Sequence, residues 1–252
     1  MTTTAQAIIK VAALTHRGAV RDRNEDTIAL GRVLLVGDMN TPVLAEVDGE
    51  TRMLIVADGM GGHARGELAS RTALEAILDC GRPQDILAWR EALLFANDRL
   101  YDLMRVRPEA LGLGTTVVGV AFCADTLIHF NVGDSRAYRH SRGILEQISH
   151  DDVPSAPRGP EPRRASHQIT QSLGGRLART RIVPHVSSAL PLRPSETILL
   201  CSDGLTDMLS DATIREVLDE GAEPSLSACQ LMNAALQAGG HDNISVVIAA
   251  AY

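Results

Sequence analysis

Apolar positions along the chain follow two rhythms. Ile8 to Leu14, apolar except for Lys10, reads as a strand. Between Thr27 and Asp58 come four short runs: Ile28-Ala29-Leu30, Val33 to Val36, Val43-Leu44 and Met53 to Ala57. Turn residues, Gly37-Asp38 and Asp48-Gly49, separate them, which predicts a meander. From Ala64 to Asp79 the period changes. Leu68, Ala69, Ala73, Leu74, Ile77 and Leu78 form a helical stripe, and Gly81 and Pro83 stop it. A second helix over Gln84 to Arg105 follows from Ile86, Trp89, Leu93, Leu100 and Met104, with Pro108 ending it. Strand signals return at Thr115–Phe122, Thr126–Val132, Ala137–Arg139 and Ile144–Ile148. The stretch Asp151 to Ser166 carries prolines at 154, 157, 160 and 162, so it can be neither a central strand nor a packed helix. Short strands are predicted at Ile182-Val183 and Thr197–Cys201. Ser210-Asp211 opens a helix, and Pro224 to Ala238 forms another, closed by Gly239-Gly240. Ile244 to Ala250 is a last strand.

This order lacks the strict β-α-β alternation of a parallel sheet, and points to antiparallel sheets covered by helices, an α+β fold. The 252 residues suffice for one full core. No linker divides them, so residues 1–252 are expected to form a single domain, interrupted by the Pro/Arg-rich segment at about 151–168. A charge of −7 argues against a surface that grips nucleic acid or an anionic membrane. One Trp, three Tyr and three Phe are too few for base-stacking platforms. No apolar run nears the roughly 18 residues a membrane span requires, and Lys10 interrupts the only N-terminal apolar stretch, which argues against a signal peptide. Cys80, Cys123, Cys201 and Cys229 form no C-x-x-C pair. Cysteine-based zinc sites and disulfides are thus disfavoured. Buried free thiols and a cytoplasmic location are expected.

Two apolar runs end in the same way, Leu54-Ile55-Val56-Ala57-Asp58-Gly59 and Ile198-Leu199-Leu200-Cys201-Ser202-Asp203-Gly204. A third acid, Asp242, precedes the strand at Ile244. A lone Asp-Gly is a turn. Three carboxylates at three strand ends, if the ends meet, repel one another unless a cation neutralises them. Hard divalent ions with oxygen ligands, Mn²⁺ or Mg²⁺, suit such a cluster, and a glycine beside it can offer a backbone carbonyl. Asn24-Glu25-Asp26 reads either as a solvated charged turn or as an extension of that site, with Arg21 as an anion-holding fork. Gly61-Gly62-His63 precedes the first helix without the Gly-Lys-Ser/Thr element of a Walker loop. It is either a plain helix entry or a place for a general acid, His63. Gly133-Asp134-Ser135-Arg136 is either a hairpin turn or a further carboxylate for the centre.

Taken in order, these stretches resemble the bacterial metal-dependent protein Ser/Thr phosphatases of the type 2C family. The resemblance rests on Arg21 to Asp26, Val56 to His63, Gly114-Thr115-Thr116, Val132 to Arg136, Ser202 to Asp207 and Asp242 to Ser245, across about residues 10 to 250. It implies a four-layer αββα sandwich, two antiparallel sheets packed face to face and flanked by helices. It also implies a binuclear Mn²⁺/Mg²⁺ centre at one end. By resemblance, Asp58 bridges two ions and Gly59 lends its carbonyl. Asp203 and Asp242 hold one ion, Glu25 supports the other with Asp26 nearby, and Asp134 and Asp207 form a third, weaker site. Arg21 matches the phosphate-binding arginine and His63 the general acid. The implied reaction is in-line attack on phosphoserine or phosphothreonine by a water shared between two ions. The implied substrates are phosphoproteins, targets of a bacterial Ser/Thr kinase, met by a monomer.

The chain departs from the family where a longer, partly helical flap usually follows Asp152. Here Arg158, Arg163, Arg164, Arg176, Arg179 and Arg181 make the stretch basic. It reads either as a handle for acidic or multiply phosphorylated substrates or as a solvated loop. A non-catalytic phosphoprotein-binding module and a small-molecule phosphoesterase are the competing functions; a module would tolerate lost carboxylates, and none is lost.

Overall fold

The computed structural model describes residues 7–48, 52–61, 64–123, 125–154 and 168–252. In chain order the first strands are β1 (Ile9–His16), β2 (Thr27–Leu30), β3 (Val33–Val36), β4 (Val43–Glu46), β5 (Met53–Ala57) and the short β6 (Gly59–Met60). Helices α1 (Ala64–Asp79) and α2 (Ile86–Val106) follow, then β7 (Gly114–Thr115), β8 (Val117–Phe122), β9 (Leu127–Val132), β10 (Arg136–Ser141) and β11 (Ile144–Gln147). The chain continues through β12 (Leu173–Gly174), β13 (His185–Ala189) and β14 (Thr197–Cys201). It closes with α3 (Asp203–Thr206), α4 (Asp211–Asp219), α5 (Pro224–Gln237) and β15 (Ile244–Ala251).

Two six-stranded sheets form the centre, ordered β11-β10-β14-β15-β1-β4 and β13-β9-β8-β5-β2-β3. Every pairing in them is antiparallel. Strand β5 shows why both faces are apolar. Leu54 and Val56 point between the sheets, against Val11, Val247 and Ile198. Met53, Ile55 and Ala57 point the other way, against the stripe of α1 and α2. Strand β14 does the same on the second sheet, with Ile198 and Leu200 inward and Leu199 and Cys201 against α4 and α5. Sheets covered on both faces need continuous apolar strands, and that is how these sequences read. The result is the expected αββα sandwich.

The helix limits follow local chemistry. Asp85 caps α2 by accepting from the Ala88 N–H at 2.8 Å, and the residue before Pro108 ends it. Ser210 caps α4 by accepting from the Thr213 N–H at 3.2 Å. Pro224 opens α5, and Gly239 and Gly240, both at positive φ, follow its end. Trp89 on α2 is fully buried and stacks on Phe130 of β9 with centroids 4.2 Å apart. No helix among the described residues is long and apolar enough to cross a membrane.

Three expectations need correction. The run from Thr27 to Ala57 is not one meander. After the β2–β3 hairpin, β4 crosses to the other sheet to pair with β1, and β5 returns beside β2. Val43 and Leu44 are exposed there, as suits a short edge strand. Ile182-Val183 is not a strand; Pro184 separates it from β13, which pairs with β9 from His185 onward. Of the cysteines only Cys201 is buried; Cys80 is exposed and Cys123 and Cys229 are half-buried. Gly49, Gly62, His63, Arg158, Arg163 and Arg164 lie outside the described residues.

Candidate metal centre

Strands β5, β14 and β15 bring their carboxylate-bearing ends to the same end of the sandwich. A cleft of about 910 Å³ opens there, lined among others by Arg21, Glu25, Asp58, Gly59, Asp134, Asp203, Asp207 and Asp242. Eight of the ten residues singled out from the sequence therefore meet in one place. Of the other two, Asp26 lies behind the cleft wall, and His63 is not described.

Asp58 is fixed by its backbone. Its carbonyl accepts from the Thr116 N–H at 2.9 Å and from the Thr115 hydroxyl at 2.8 Å. Its N–H donates to the Thr116 hydroxyl at 3.2 Å. That is the work of the Gly114-Thr115-Thr116 stretch. Next to it, a Cβ on Gly59 would collide with the Gly66 and Glu25 carbonyl oxygens. A Cβ on Gly66, in the first turns of α1, would strike the Glu25 carboxylate and come within 2.7 Å of the Gly59 carbonyl oxygen. Two glycines thus let a carboxylate and a carbonyl oxygen sit close together. On the other sheet a Cβ on Gly204 would run into the Asn243 carbonyl, which holds the start of α3 against the start of β15.

Asp26 is fully buried. Its Oδ2 accepts from Ser202 at 2.9 Å and Ser245 at 2.7 Å, while Oδ1 has no hydrogen-bond partner among the described residues. Asn24 donates to Thr15 at 2.8 Å, and Thr15 and Ser245 share a 2.7 Å hydrogen bond. The Asn243 amide donates to the Arg17 and Arg23 carbonyls at 3.0 and 2.8 Å, and its oxygen accepts from the Glu25 N–H at 2.8 Å. The Arg17–Asp26 loop is thereby sewn to β14 and β15. The solvated-turn reading of Asn24-Glu25-Asp26 fails, since Asn24 and Asp26 are both buried.

The acids crowd one another. Asp58 keeps contact with the cleft but is walled by protein elsewhere. Desolvation first, then the charges of Asp26, Asp203 and Asp242, push its carboxyl well above the usual range. Burial likewise pushes Asp26 to about 6 and Asp203 to about 6. Asp134 reaches about 7, through burial and then the Asp203 charge. Among the described residues the buried Asp203 Oδ1 has no hydrogen-bond partner. Buried carboxylate oxygens without donors, beside a carbonyl in a glycine cradle, make an oxygen-only donor set short of positive charge. That fits hard divalent cations such as Mn²⁺ or Mg²⁺.

At the rim, Arg21 is exposed and donates to the Asp242 Oδ2 at 2.6 Å. Asp207 is exposed. The basic stretch is partly committed elsewhere: Arg179 pairs with Asp98 at 3.2 Å and Asp102 at 3.1 Å, and Arg176 donates to the Thr170 carbonyl at 3.4 Å. The structural roles of three residues escaped sequence reasoning. Gly66 reads as an ordinary helix residue. Ser202 directly follows the apolar run of β14 and Ser245 interrupts that of β15, and a hydroxyl in such a place is the one signal that could have marked Asp26 as buried.

An αββα sandwich with a carboxylate-lined cleft at one end defines the class of this protein. Residues 42–238 match the family model described as Protein phosphatase 2C. The chain belongs to the protein phosphatase 2C family. It is 35% identical over 250 residues to the serine/threonine protein phosphatase PstP of Mycobacterium tuberculosis, covering 96% of this chain and 45% of that protein. The chain thus spans about half the length of that relative. It is 29% identical to the serine/threonine phosphatase stp of Listeria monocytogenes, covering 93% of this chain and 92% of that one. The crystal structure of the PstP catalytic domain in complex with 2 manganese ions superposes with a TM-score of 0.78 at 30% identity, covering 98% and 99% of the two chains.

Proposed function

We propose that this chain is a single catalytic domain that hydrolyses phosphoserine and phosphothreonine in proteins, using Mn²⁺ or Mg²⁺. The observation that carries the reading is the convergence of Asp58, Asp203 and Asp242 on one cleft, with buried oxygens left without donors. The two manganese ions in the PstP domain and the named activities of PstP and stp support it.

In this reading Asp58 and the Gly59 carbonyl stand between two ion positions. Asp203 and Asp242 serve one, Glu25 serves the other with Asp26 behind it, and Asp134 and Asp207 serve a third. Bound there, the ions would supply positive charge beside the phosphoryl group and a water acidified enough to attack it in line. Arg21 leaves Asp242 for the phosphoryl oxygens, where its planar fork makes two parallel bonds. His63 gives the leaving alkoxide its proton. The substrates are phosphoproteins modified by a bacterial Ser/Thr kinase, and the protein acts as a cytoplasmic monomer without nucleic-acid or membrane partners.

Phosphate release from a phosphothreonine peptide tests this. Turnover with Mn²⁺ that EDTA abolishes is the expected result. No turnover at any Mn²⁺ concentration would leave a phosphoprotein-binding module. Hydrolysis of p-nitrophenyl phosphate with phosphopeptides untouched would favour a small-molecule phosphoesterase.

A further inference from the structure

We infer that His150, Asp152 and His185 form a second metal site, of different chemistry from the acidic cleft, for a borderline transition ion of the Zn²⁺ type. His150 and Asp152 lie just after β11, and His185 begins β13, the edge strand beside β9. One ligand atom from each of the three lies within 4.8 Å of the others. The two imidazoles stack with centroids 4.7 Å apart, and His185 Nε2 is 2.9 Å from Asp152 Oδ1.

The backbone of His150 and the carboxylate of Asp152 are fixed by neighbouring residues. Asn131 clamps the His150 backbone from both sides, donating to its carbonyl at 2.6 Å and accepting from its N–H at 3.0 Å. Asn131 is also the register partner of His185 across β9 and β13, so one residue positions both histidines. Asp152 is buried. Its Oδ2 is spent on the Gly133 N–H at 2.8 Å and the Gln171 amide at 2.8 Å. Oδ1 is left facing the imidazoles. Among the described residues the His150 ring makes no hydrogen bond and lies on the face of His185 instead. A salt bridge alone needs one histidine beside Asp152; the second imidazole, stacked at ligand distance, is what an ion would use.

Two imidazole nitrogens and one carboxylate oxygen are the donor set of a three-ligand Zn²⁺ site with an open fourth position. The ligand candidates of the cleft are carboxylates and a backbone carbonyl, all oxygen donors, so the two donor sets favour different ions. None of the three residues lines the cleft. An ion here would tie residues 150–152 to the sheet edge just before residues 155–167. The inference does not depend on the hydrolase reading.

Co²⁺ titration of the metal-free full chain tests it. Four-coordinate Co²⁺ with nitrogen ligands absorbs visible light intensely, whereas Co²⁺ in a water-rich oxygen site absorbs weakly, so the spectrum separates the two sites. The wild-type protein is expected to bind one equivalent with the intense spectrum, and Zn²⁺ to abolish it by displacement. His185→Ala and His150→Gln are each expected to lose that equivalent. Both are expected to keep far-UV circular dichroism and Mn²⁺-dependent phosphate release. His150→Gln alters an exposed ring and leaves the backbone clamp intact, so it decides the matter if His185→Ala unfolds. An intense spectrum that survives in His150→Gln, or none in the wild type, overturns the site.

Discussion

Strand β5 and the residue that follows it span two physical regimes within six residues. From Met53 to Ala57 every side chain is apolar and buried. The next residue, Asp58, is a carboxyl held far from its preferred ionisation state by desolvation and three neighbouring acids. β14 repeats the change, from the buried Cys201 and Ser202 to Asp203. The same strands therefore build a region that stabilises the fold and a region that strains it. Between the sheets, apolar burial contributes roughly 25 cal/mol per Å² with no charge to satisfy. At the strand ends, buried oxygens without donors oppose folding until cations arrive. The rigidity of the first region is what keeps the acids of the second from moving apart.

The largest expected contrast comes from removing one charge at the strained end. Asp203→Asn takes away a carboxylate whose Oδ1 has no donor. Mn²⁺-dependent phosphate release should fall by on the order of 10²–10³ or more. In EDTA at pH 8 the same variant should melt no lower than the wild type, because its amide needs no counter-charge. Loss of both activity and metal-free stability would mean that Asp203 is structural.

The converse change belongs in the core. Leu54 is fully buried between the sheets. Leu54→Ala should lower the unfolding free energy by roughly 2–5 kcal/mol in urea titrations. Phosphate release per folded molecule should barely change. A selective loss of turnover would show that the cleft depends on finer packing than the two regimes suggest.

What could be read from the sequence divides along the same line. The core was legible because buried strands and amphipathic helices write their periods locally, as in Met53–Ala57 and in Ala69, Ala73 and Leu74. The meeting of Asp58, Asp203 and Asp242 was legible because each follows an apolar strand, and strand ends of one sandwich converge. Partners distant in the chain were not. Nothing near Asp26 announces Ser202 and Ser245, which hold it from 176 and 219 residues away. Gly66 reads as a mid-helix residue until the Glu25 carboxylate is seen against it. β4 looks like a continuation of the β2–β3 hairpin, because period-two alternation does not say which sheet a strand joins. Asp152 and His185, 33 residues apart, share no motif.

The smallest effect is the most diagnostic of the contrast, because only one region titrates. In the metal-free protein Asp26 and Asp203 are raised from 3.8 to about 6 and Asp134 to about 7, with Asp58 also raised. A carboxyl raised by folding holds its proton in the native state after the unfolded chain has released it. Its stabilising contribution is complete below about pH 4 and is lost as pH rises through about 6 to 7. The melting temperature in EDTA should therefore fall by several degrees from pH 5 to pH 8, a few degrees being about 1 kcal/mol in a chain of this size. Mn²⁺ should raise it more at pH 8 than at pH 5, since cations favour the ionised acids. Leu54→Ala should melt lower at every pH with an unchanged slope, because it packs among the apolar side chains between the sheets. Asp203→Asn should flatten the slope. A metal-free melting temperature that is level or rising between pH 5 and pH 8 would mean that the acids at the strand ends are not strained, and the two regimes of β5 would collapse into one.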